Sequence, residues 1–300
     1  MNKHAFLIIA HNEPKILSVL LKQLDYPSFD VYLHIDAKAT DIQKEFEKYK
    51  PRYGSFKMLS QHIDVRWGSI SQVEVEMLLL KEAFQNGPYV YYHIISGVDL
   101  LLKKPETICR LLSAQPNKEY VSFWQSSSHK RDLRRKVERM YLFTNHLKDK
   151  GTLVHAITAF IRNTSLAIQK AIGYHRTPPN NITFYKGSNW ASITESFCQY
   201  VLQEEPKIHT YLTHTLCPDE IFLQTLLYNS PFKRNIYQLG TEDTQPSSLR
   251  KIDWQRGSPY TWTNNDITEL LQSEALFARK FSSQNIEVVK AIDQSIKRNQ

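Results

Sequence analysis

The chain has 300 residues, of which 41% are hydrophobic and 12% aromatic, enough apolar material for one large α/β domain or two smaller ones. Its nine glycines and thirteen prolines are too few for a fibrous or low-complexity protein. The net charge of +8 is compatible with a polyanionic partner such as a nucleic acid, a nucleotide diphosphate or an anionic lipid surface.

The cysteines and the apolar stretches indicate a cellular compartment. Cys109, Cys198 and Cys217 are odd in number and far apart, which argues against a disulfide framework. No stretch approaches the roughly 18 apolar residues that a membrane span needs. The apolar run at residues 5–10 is too short for a secretion signal. We therefore expect a cytoplasmic protein that is not secreted.

The first 35 residues predict two parallel strands joined by a helix. Residues 4–10 (HAFLIIA) form a continuous apolar run, which is typical of a buried strand. Apolar residues recur at helical spacing over residues 16–24, and residues 31–35 (VYLHI) form a second apolar run. A helix between two such strands indicates a parallel pair with a crossover connection.

Strands and helices continue to alternate toward the carboxyl end, with one interruption at residues 125–180. That interruption holds a basic run at 129–136 and an amphipathic segment at 155–172. The pattern is typical of an α/β sheet flanked by helices, and it contains neither a glycine-rich dinucleotide turn nor a P-loop. We expect strands at 89–95, 121–124 and 182–185, and helices at 72–84, 105–112, 193–202 and 266–281.

Polar residues lie at the predicted ends of several strands and before one helix. Ligands of open α/β sheets bind at the carboxyl ends of the strands, so these residues are candidates for a binding site. They are His11 and Asn12, Asp36 and Lys38, Trp67 and Gly68, and Ser96 and Asp99.

Two carboxylates, Asp219 and Glu220, stand side by side in the segment CPDEIFLQTLLYN. Pro218 suits a first helical turn, and acidic side chains there interact favourably with the helix dipole. These local rules favour an ordinary helix start. A carboxylate at the same place could instead act as a general base.

The sequence contains no Asp-x-Asp pair and no zinc-ligand spacing, two common signs of a metal site. A protein that binds a nucleotide diphosphate without a metal needs cationic side chains in its place. Arg279 and Lys280, in the segment FARKF, are candidates for that task. Cations at the end of a helix also occur simply because the helix dipole favours them.

Seven segments of the chain occur in an order that resembles one known family. They are IIAHNEP, YLHIDAK, VRWGSIS, HIISGVDLLL, FYKGSNWASIT, CPDEIFLQTLL and LFARKF. Together they resemble the core-2/I-branching β-1,6-N-acetylglucosaminyltransferase family, which also contains peptide xylosyltransferases. The resemblance extends from about residue 4 to residue 282.

This resemblance implies a GT-A-like nucleotide-sugar transferase fold with a mixed central sheet flanked by helices. A single domain over residues 1–282 would contain the helical excursion at 125–180, and residues 283–300 would form a helical tail. The resemblance also implies an inverting enzyme without a metal or other cofactor, which moves a sugar from a UDP donor to a hydroxyl of a glycan or glycolipid acceptor. UDP-N-acetylglucosamine is the expected donor, and UDP-xylose is the alternative.

The resemblance also implies roles for individual residues. Glu220 corresponds to the family's general base, and Lys280 to the lysine that neutralises the diphosphate. The expected donor-binding residues are His11, Asn12, Asp36, Lys38, Trp67, Gly68, Ser96, Asp99 and Arg279. The expected acceptor-binding residues are Lys130, Arg134, Asp219, Trp254 and Arg256.

This chain departs from the family pattern in three respects. The family has a second diphosphate-binding arginine before its terminal helix, whereas residues 258–262 of this chain read SPYTW. The candidate substitutes are Arg256 and Arg279, and the alternative is that a single lysine suffices. Golgi-anchored members also have a membrane stem and many cysteines. Because this chain has neither, it resembles a bacterial cytoplasmic form that makes a surface or exported polysaccharide.

Other functions are compatible with parts of the sequence. One is a non-catalytic carbohydrate- or nucleotide-binding protein on a degenerate transferase fold, which the retention of Glu220 and Lys280 disfavours. Nucleic-acid binding through the basic helix at residues 130–139 is disfavoured because no nucleic-acid motif accompanies that helix. The basic run and the amphipathic segment instead suggest peripheral contact with an anionic membrane at its inner face.

Overall fold

The computed structural model describes residues 2–149, 151–179, 182–239 and 245–297, except for the side chains of residues 245 and 246. A five-stranded sheet has the order β3-β2-β1-β4-β6, and a smaller sheet has the order β5-β8-β7. The strands are β1 (His4–Ala10), β2 (Phe29–Ile35), β3 (Ser55–Met58), β4 (Tyr91–Ser96), β5 (Leu100–Leu101), β6 (Ser192–Thr194), β7 (Arg250–Ile252) and β8 (Phe277–Arg279).

The large sheet is parallel except for its edge strand β6, which pairs antiparallel with β4. The helices are α1 (Pro14–Gln23), α2 (Thr40–Phe46), α3 (Ser71–Gln85), α4 (Pro105–Ala114), α5 (Ser127–Glu138), α6 (Leu153–Ala171), α7 (Glu195–Thr213), α8 (Phe222–Tyr228), α9 (Ile267–Gln272) and α10 (Ile286–Lys297). The expected α/β class, with a mixed central sheet flanked by helices, is confirmed.

Two hydrophobic cores lie on opposite faces of the large sheet. Alternate side chains of β1 enter them, with Phe6 and Ile8 in one core and Leu7 and Ile9 in the other. Helices α1, α4 and α10 contribute to the first core, and α3, α7 and α8 to the second. This double burial explains why the first strand is a continuous apolar run rather than an alternating one.

The strand predicted at residues 182–185 is not present. The backbone of Thr183 exchanges hydrogen bonds with the side-chain amide of Asn229, at 3.2 and 2.8 Å. The backbone of Tyr185 does the same with the hydroxyl of Thr225, at 3.2 and 3.3 Å. Side chains on or next to α8 therefore satisfy the polar groups that a neighbouring strand would otherwise satisfy.

The strand predicted at residues 121–124 is also wrong. Pairing is limited to two isolated bridges just before this segment, Glu119 with Ile236 and Tyr120 with Ser192. The N–H of Trp124 donates to the carbonyl of Lys186 at 2.8 Å. The helix predicted at 193–202 begins later, because β6 takes the first two residues and the Thr194 side chain caps α7. Helix α7 then continues to Thr213.

The single helix predicted over residues 266–281 is wrong in its second half. Helix α9 ends at Gln272, and residues 277–279 form the central strand of the small sheet. Leu276, Phe277 and Ala278 are all buried, and a continuous buried run suits a strand between two neighbours. Arg279 therefore projects from a strand and is not a cation at a helix end.

Helices also occur in the excursion at 125–180 and in the C-terminal tail. The excursion at 125–180 consists mainly of α5 and α6, with a short 3₁₀ turn at Thr144–His146 between them. In the C-terminal tail, Val288 and Ile292 of α10 are buried in the same core as α1. Residues 298–300 of the predicted tail lie outside the described part. Within the described ranges, no helix combines the length and the apolar character needed to cross a membrane.

Candidate active site

The loops that follow β1, β2 and β4 meet at one edge of the large sheet. The N–H of Asp36 donates to the carbonyl of Ala10, and the N–H of Gly97 to the carbonyl of Ile9, both at 2.9 Å. A β-carbon on Gly97 would lie 2.8 Å from the β-carbon of Ala10, so only glycine permits this close approach. The sheet thus brings together the predicted donor-binding residues at positions 11–12, 36–38 and 96–99.

Asp36 is buried and organises its surroundings. Its carboxylate accepts hydrogen bonds from the backbone N–H groups of Lys38 at 2.8 Å and Val65 at 3.1 Å. The ammonium group of Lys38 bridges Asp36 and Asp64, and Arg66 binds Asp64 from the other side. This alternation of charges holds the loop before α3, which carries Trp67 and Gly68, beside the end of β2.

His11 and Glu13 flank the turn between β1 and α1. Partial burial lowers the pKa of His11, and the positive charges of Arg279 and Lys38 lower it further. The charge of Asp36 raises this pKa, but by less than the other effects together lower it. The Glu13 carboxylate accepts hydrogen bonds from the hydroxyl of Ser282 at 2.6 Å and the N–H of Ser283 at 2.9 Å. Glu13 thereby ties this turn to the segment that follows Lys280. Asn12 is exposed beside it.

Asp99 and Arg279 form the buried wall of this edge. Ser96 donates to Asp99 through its hydroxyl at 2.5 Å and its N–H at 3.2 Å, while Arg279 Nε lies 3.7 Å from the same carboxylate. The Arg279 guanidinium also lies 4.2 Å from the ring centre of Trp190. Its Nε and Nη1 atoms are buried without a hydrogen-bond partner. Arg279 therefore retains hydrogen-bonding capacity for an anion.

Lys280 and Arg256 occupy contrasting environments. The backbone of Lys280 bonds to Tyr260 and Trp262, and the next N–H, that of Phe281, donates to the carbonyl of Val98 at 2.9 Å. These bonds place Lys280 next to the loop that contains Asp99. Arg256 pairs with three carboxylates, those of Asp253 at 2.5 Å, Asp266 at 2.6 Å and Glu269 at 3.4 Å. Of the two substitutes considered for the missing arginine, Arg279 is the less occupied.

Glu220 lies in a second group of charges, at the end of the 3₁₀ turn Pro218–Glu220. Its Oε2 atom is 2.9 Å from Lys136 Nζ and 3.3 Å from Lys186 Nζ. Both ammonium groups also contact Asp132, at 3.2 and 2.6 Å. The lysine side chains are only 8% and 4% exposed, whereas that of Glu220 is 25% exposed. The Glu220 carboxylate is therefore partly exposed to solvent, whereas the two lysines that bind it are buried.

Electrostatic effects within this group are strong. Burial would raise the pKa of Asp132, but the hydrogen bond from Lys186 and the charges of both lysines lower it to about 2. Burial would lower the pKa of Lys136, but the charge of Glu220 raises it. Asp132 and Lys136 are therefore held in their charged forms at neutral pH.

Two glycines allow the segments around Glu220 to meet. A β-carbon on Gly187 would lie 1.9 Å from the carbonyl oxygen of Ser122, a distance that no side chain permits. Gly68 has a φ of +78°, and its carbonyl accepts a hydrogen bond from the N–H of Cys217 at 3.0 Å. The loop of Trp67 therefore packs directly against the segment that precedes Glu220. Trp67 itself is largely exposed, with Lys148 Nζ 4.3 Å from its ring centre.

Asp219 lies beside Glu220 but in different surroundings. Burial, and then the charge of Glu220, raise the pKa of Asp219 to about 7. Behind it, burial and the charge of Asp219 raise the pKa of Glu76, which accepts a hydrogen bond from Asn189 at 3.2 Å. Asp219 therefore interacts electrostatically with two carboxylates, the buried Glu76 and the partly exposed Glu220.

A cavity of about 560 Å³ lies beside this charged group. Lys186 and Trp124 form part of its lining, together with the predicted acceptor-binding residues Lys130 and Arg134. Lys186 Nζ is 5.1 Å from the ring centre of Trp124, and Trp254 meets the same ring edge-on at 5.7 Å. An aromatic and cationic lining suits a sugar, because its apolar face can stack on a ring while its hydroxyls accept hydrogen bonds.

The predicted residues thus fall into two places. One is the strand-end group around Asp36, Asp99 and Arg279, and the other is the group around Glu220 and the adjacent cavity. Among the residues with described positions, no cluster of three or more His, Cys, Asp or Glu side chains could hold a metal. Four residues of this site were not among the predicted ones: Asp132, Lys136, Lys186 and Trp124. The segments FYKGSNW and CPDE are far apart in the sequence, and only the fold shows that they meet.

One family of known proteins matches most of this chain. The family described as "Core-2/I-Branching enzyme" matches residues 4–274. Xylosyltransferase 2 of Rattus norvegicus is 24% identical over 309 residues, covering 96% of this chain and 33% of that protein. Xylosyltransferase of Ciona intestinalis is 22% identical over 305 residues, with the same two coverages of 96% and 33%. The chain thus spans about a third of the length of these relatives.

Similarity to solved structures is weaker. The apo form of mouse xyloside xylosyltransferase 1 has a TM-score of 0.42 and 8% identity, covering 93% of this chain and 97% of that chain. The apo WbbM bifunctional glycosyltransferase has a TM-score of 0.39 and 8% identity, covering 99% of this chain and 52% of that chain. The family assignment depends on the sequence match alone. Because that match covers nearly the whole fold, the chain belongs to the Core-2/I-Branching enzyme family.

Proposed function

We propose that this chain is an inverting glycosyltransferase that moves a sugar from a UDP donor to a hydroxyl of a glycan acceptor without a divalent metal. The observation that carries the proposal is the position of Glu220, which is held by Lys136 and Lys186 beside a cavity suited to a sugar. Membership of the Core-2/I-Branching enzyme family supports sugar transfer as the class of reaction.

For the donor we propose UDP-xylose ahead of UDP-N-acetylglucosamine. Several curated relatives that align with 96% of this chain are named xylosyltransferases. Those names favour UDP-xylose over UDP-N-acetylglucosamine, which was the donor expected from the sequence. The acceptor in this proposal is a glycan that enters the cavity lined by Trp124, Lys130, Arg134 and Lys186.

Glu220 acts as the general base in this proposal. An inverting transfer is one in-line displacement at the anomeric carbon of the donor sugar. The acceptor oxygen bonds to that carbon as Glu220 takes its proton, and the bond to the phosphate oxygen of UDP breaks on the opposite side. The two buried lysines orient the carboxylate, and Asp132 shares their charge so that Glu220 is not their sole counterion.

The leaving UDP needs positive charge at the strand-end group. Lys280 and Arg279 supply it in this proposal, taking the role that a divalent cation has in other transferases. Support comes from the buried Nε and Nη1 atoms of Arg279, which have no hydrogen-bond partner among the residues that the structure describes. Asp99 holds the guanidinium from behind, so its remaining donors can turn toward a phosphate.

The experiment is UDP release from UDP-xylose and UDP-N-acetylglucosamine in the presence of EDTA, with a mixture of simple glycosides as acceptors. We expect release from one donor, and a loss of about 10²- to 10⁴-fold in Glu220→Gln, the usual contribution of a general base. Glu287→Gln is the matched control, because Glu287 is an exposed glutamate whose ion pair among the described residues is with Lys290.

Each alternative outcome is informative. Activity that disappears in EDTA would disprove the role given to Lys280 and Arg279. Full activity in Glu220→Gln would disprove the general base. Tight UDP binding without turnover of either donor, in the presence of the acceptor mixture, would favour a non-catalytic binding protein.

A further inference from the structure

Helix α6 presents its apolar face to solvent and its polar face to the protein. The side chains that it buries are Thr158, Arg162 and Gln169. Phe160 is 72% exposed and Ile157 51% exposed. The other large exposed hydrophobic residues of α6 and its end are Leu153, Val154, Ile161, Ile168 and Ile172. At 3.6 residues per turn these residues share one stripe about 120° wide. A helix on a globular protein normally has the opposite orientation.

Specific polar contacts fix this orientation. The Gln169 side chain accepts from the N–H of Met140 and donates to its carbonyl, both at 2.9 Å. Arg139 donates to the carbonyl of Leu166 at 3.2 Å. These bonds lie on the face that the helix turns toward the protein. Rotating α6 to bury its apolar stripe would break them, so the stripe is held outward along a helix of 19 residues, about 28 Å long.

The net charge of the chain is concentrated in the same region. Residues 127–176 contain eleven lysines and arginines but only three acidic residues, which is a surplus of eight positive charges. The rest of the chain has 27 residues of each sign, so this segment carries the whole net charge of +8. No acidic residue occurs in α6 itself. Lys136, Arg162 and Arg176 are buried, whereas six cations of the segment are exposed: Lys130, Arg131, Arg134, Arg135, Lys148 and Lys170. An apolar stripe in a segment with many exposed cations is typical of helices that lie in the interface of an anionic membrane.

We propose that the outer face of α6 docks on an anionic lipid bilayer, with Leu153, Ile157, Phe160 and Ile161 entering the boundary between headgroups and acyl chains. Acidic lipid headgroups attract each nearby lysine and arginine, and this attraction adds to the burial of the stripe. A second copy of the chain is a poorer occupant, because pairing through this face would bring two positively charged segments together.

Docking in this manner also brings the candidate acceptor site close to the bilayer. His175, Arg176 and Pro178, which follow α6 by only a few residues, line the 560 Å³ cavity beside Lys186. A chain held at the membrane by α6 therefore presents that cavity near the headgroups. The docking itself does not depend on the proposed sugar transfer, and its test uses no enzymatic activity.

The test is flotation of the full chain with vesicles of phosphatidylcholine, with or without phosphatidylglycerol. We expect flotation with the anionic vesicles only, weakening as salt is raised because surface charges are screened. The double variant Ile157→Ser, Phe160→Ser should lower the apparent affinity about tenfold or more, since two large side chains no longer leave water. The matched control is Leu111→Ser, Leu271→Ser, which removes two exposed leucines from α4 and α9.

A second pair of measurements distinguishes lipid binding from self-association. Arg131→Gln, Lys170→Gln should also weaken flotation, because both side chains are exposed cations of the same segment. Sedimentation velocity without lipid should give the same molecular mass for the native chain and the serine variant. The proposal is overturned if the native chain does not float with the anionic vesicles. It is also overturned if the Ile157→Ser, Phe160→Ser variant floats as well as the Leu111→Ser, Leu271→Ser control, or if the native chain dimerises through the outer face of α6.

Discussion

The backbone N–H of Gly187 donates a hydrogen bond to the carbonyl oxygen of Glu220 at 2.8 Å. This bond joins two segments that lie 33 positions apart in the sequence. It places the ammonium group of Lys186, the residue before Gly187, 3.3 Å from the Glu220 carboxylate. The geometry around the proposed base therefore depends on a position where no side chain fits.

Gly187→Ala should damage both stability and activity. The new β-carbon would meet the Ser122 carbonyl at 1.9 Å and the Gln224 amide at 3.0 Å, so the backbone must move. We expect a loss of about 3 kcal/mol in the free energy of unfolding, the upper end of ordinary overpacking. Denaturant unfolding measures this loss, and UDP release measures the accompanying fall in kcat.

Gly173→Ala is the comparison for that variant. Gly173 has a φ of +64°, but nothing lies within 4 Å of a β-carbon placed there. We expect only the cost of a left-handed residue, about 1 kcal/mol, with kcat unchanged. Equal losses of unfolding free energy in the two variants would mean that the close contact at Gly187 does not add to the cost of the substitution.

Asp219→Asn should change how stability depends on pH. Burial and the charge of Glu220 raise the pKa of Asp219 to about 7 in the folded chain, from an ordinary carboxyl pKa of about 3.9. Its contribution to stability is present below about pH 4 and is lost as the pH rises toward 7, because the folded state then binds more protons than the unfolded one. The variant should therefore gain stability relative to the native chain between pH 5 and pH 8.

Denaturant unfolding of both proteins at the two pH values measures this effect. We expect the difference between variant and native chain to grow by roughly 1–3 kcal/mol in favour of the variant, since one pKa unit corresponds to about 1.4 kcal/mol. Asp41→Asn, an exposed position in α2, is the control. A difference that stays constant with pH would show that Asp219 is ionised without penalty.

Arg279→Gln should weaken UDP binding. Hydrogen bonds to charged groups contribute about 1.5–3 kcal/mol, so the Kd for UDP should rise roughly ten- to a hundredfold. Isothermal titration calorimetry measures the change, and thermal unfolding shows whether the loss of the contact with Asp99 has altered the fold. Arg110→Gln, an exposed arginine of α4, is the control. An unchanged Kd in a stable variant would assign Arg279 a structural role only.

Trp124→Phe should weaken acceptor binding without affecting the donor. The indole N–H of Trp124 is buried without a hydrogen-bond partner, and the side chain lines the cavity. Phenylalanine keeps a ring for stacking but removes that donor. We expect the KM for the acceptor to rise about fivefold, the equivalent of one ordinary hydrogen bond of about 1 kcal/mol. The KM for the donor is the internal control, and a rise in both constants would contradict a specific acceptor contact.

The sequence by itself determined the parallel start of the sheet, the positions of most helices and the family. These features are local: apolar runs such as residues 4–10 report burial on both faces, and the seven segments can be recognised one at a time. The strand ends at Asp36 and Asp99 could be identified for the same reason. Their burial follows from the positions of the strands that precede them.

Only the tertiary structure decided which charges surround Glu220 and which way α6 faces. Lys136 and Lys186 come from distant segments, and no local pattern predicts that both will reach one carboxylate. Helical periodicity likewise identifies an apolar stripe but not whether it faces inward. In α6 the hydrogen bonds between Gln169 and Met140 set the orientation of the stripe. These bonds exist only when the fold brings the two segments together.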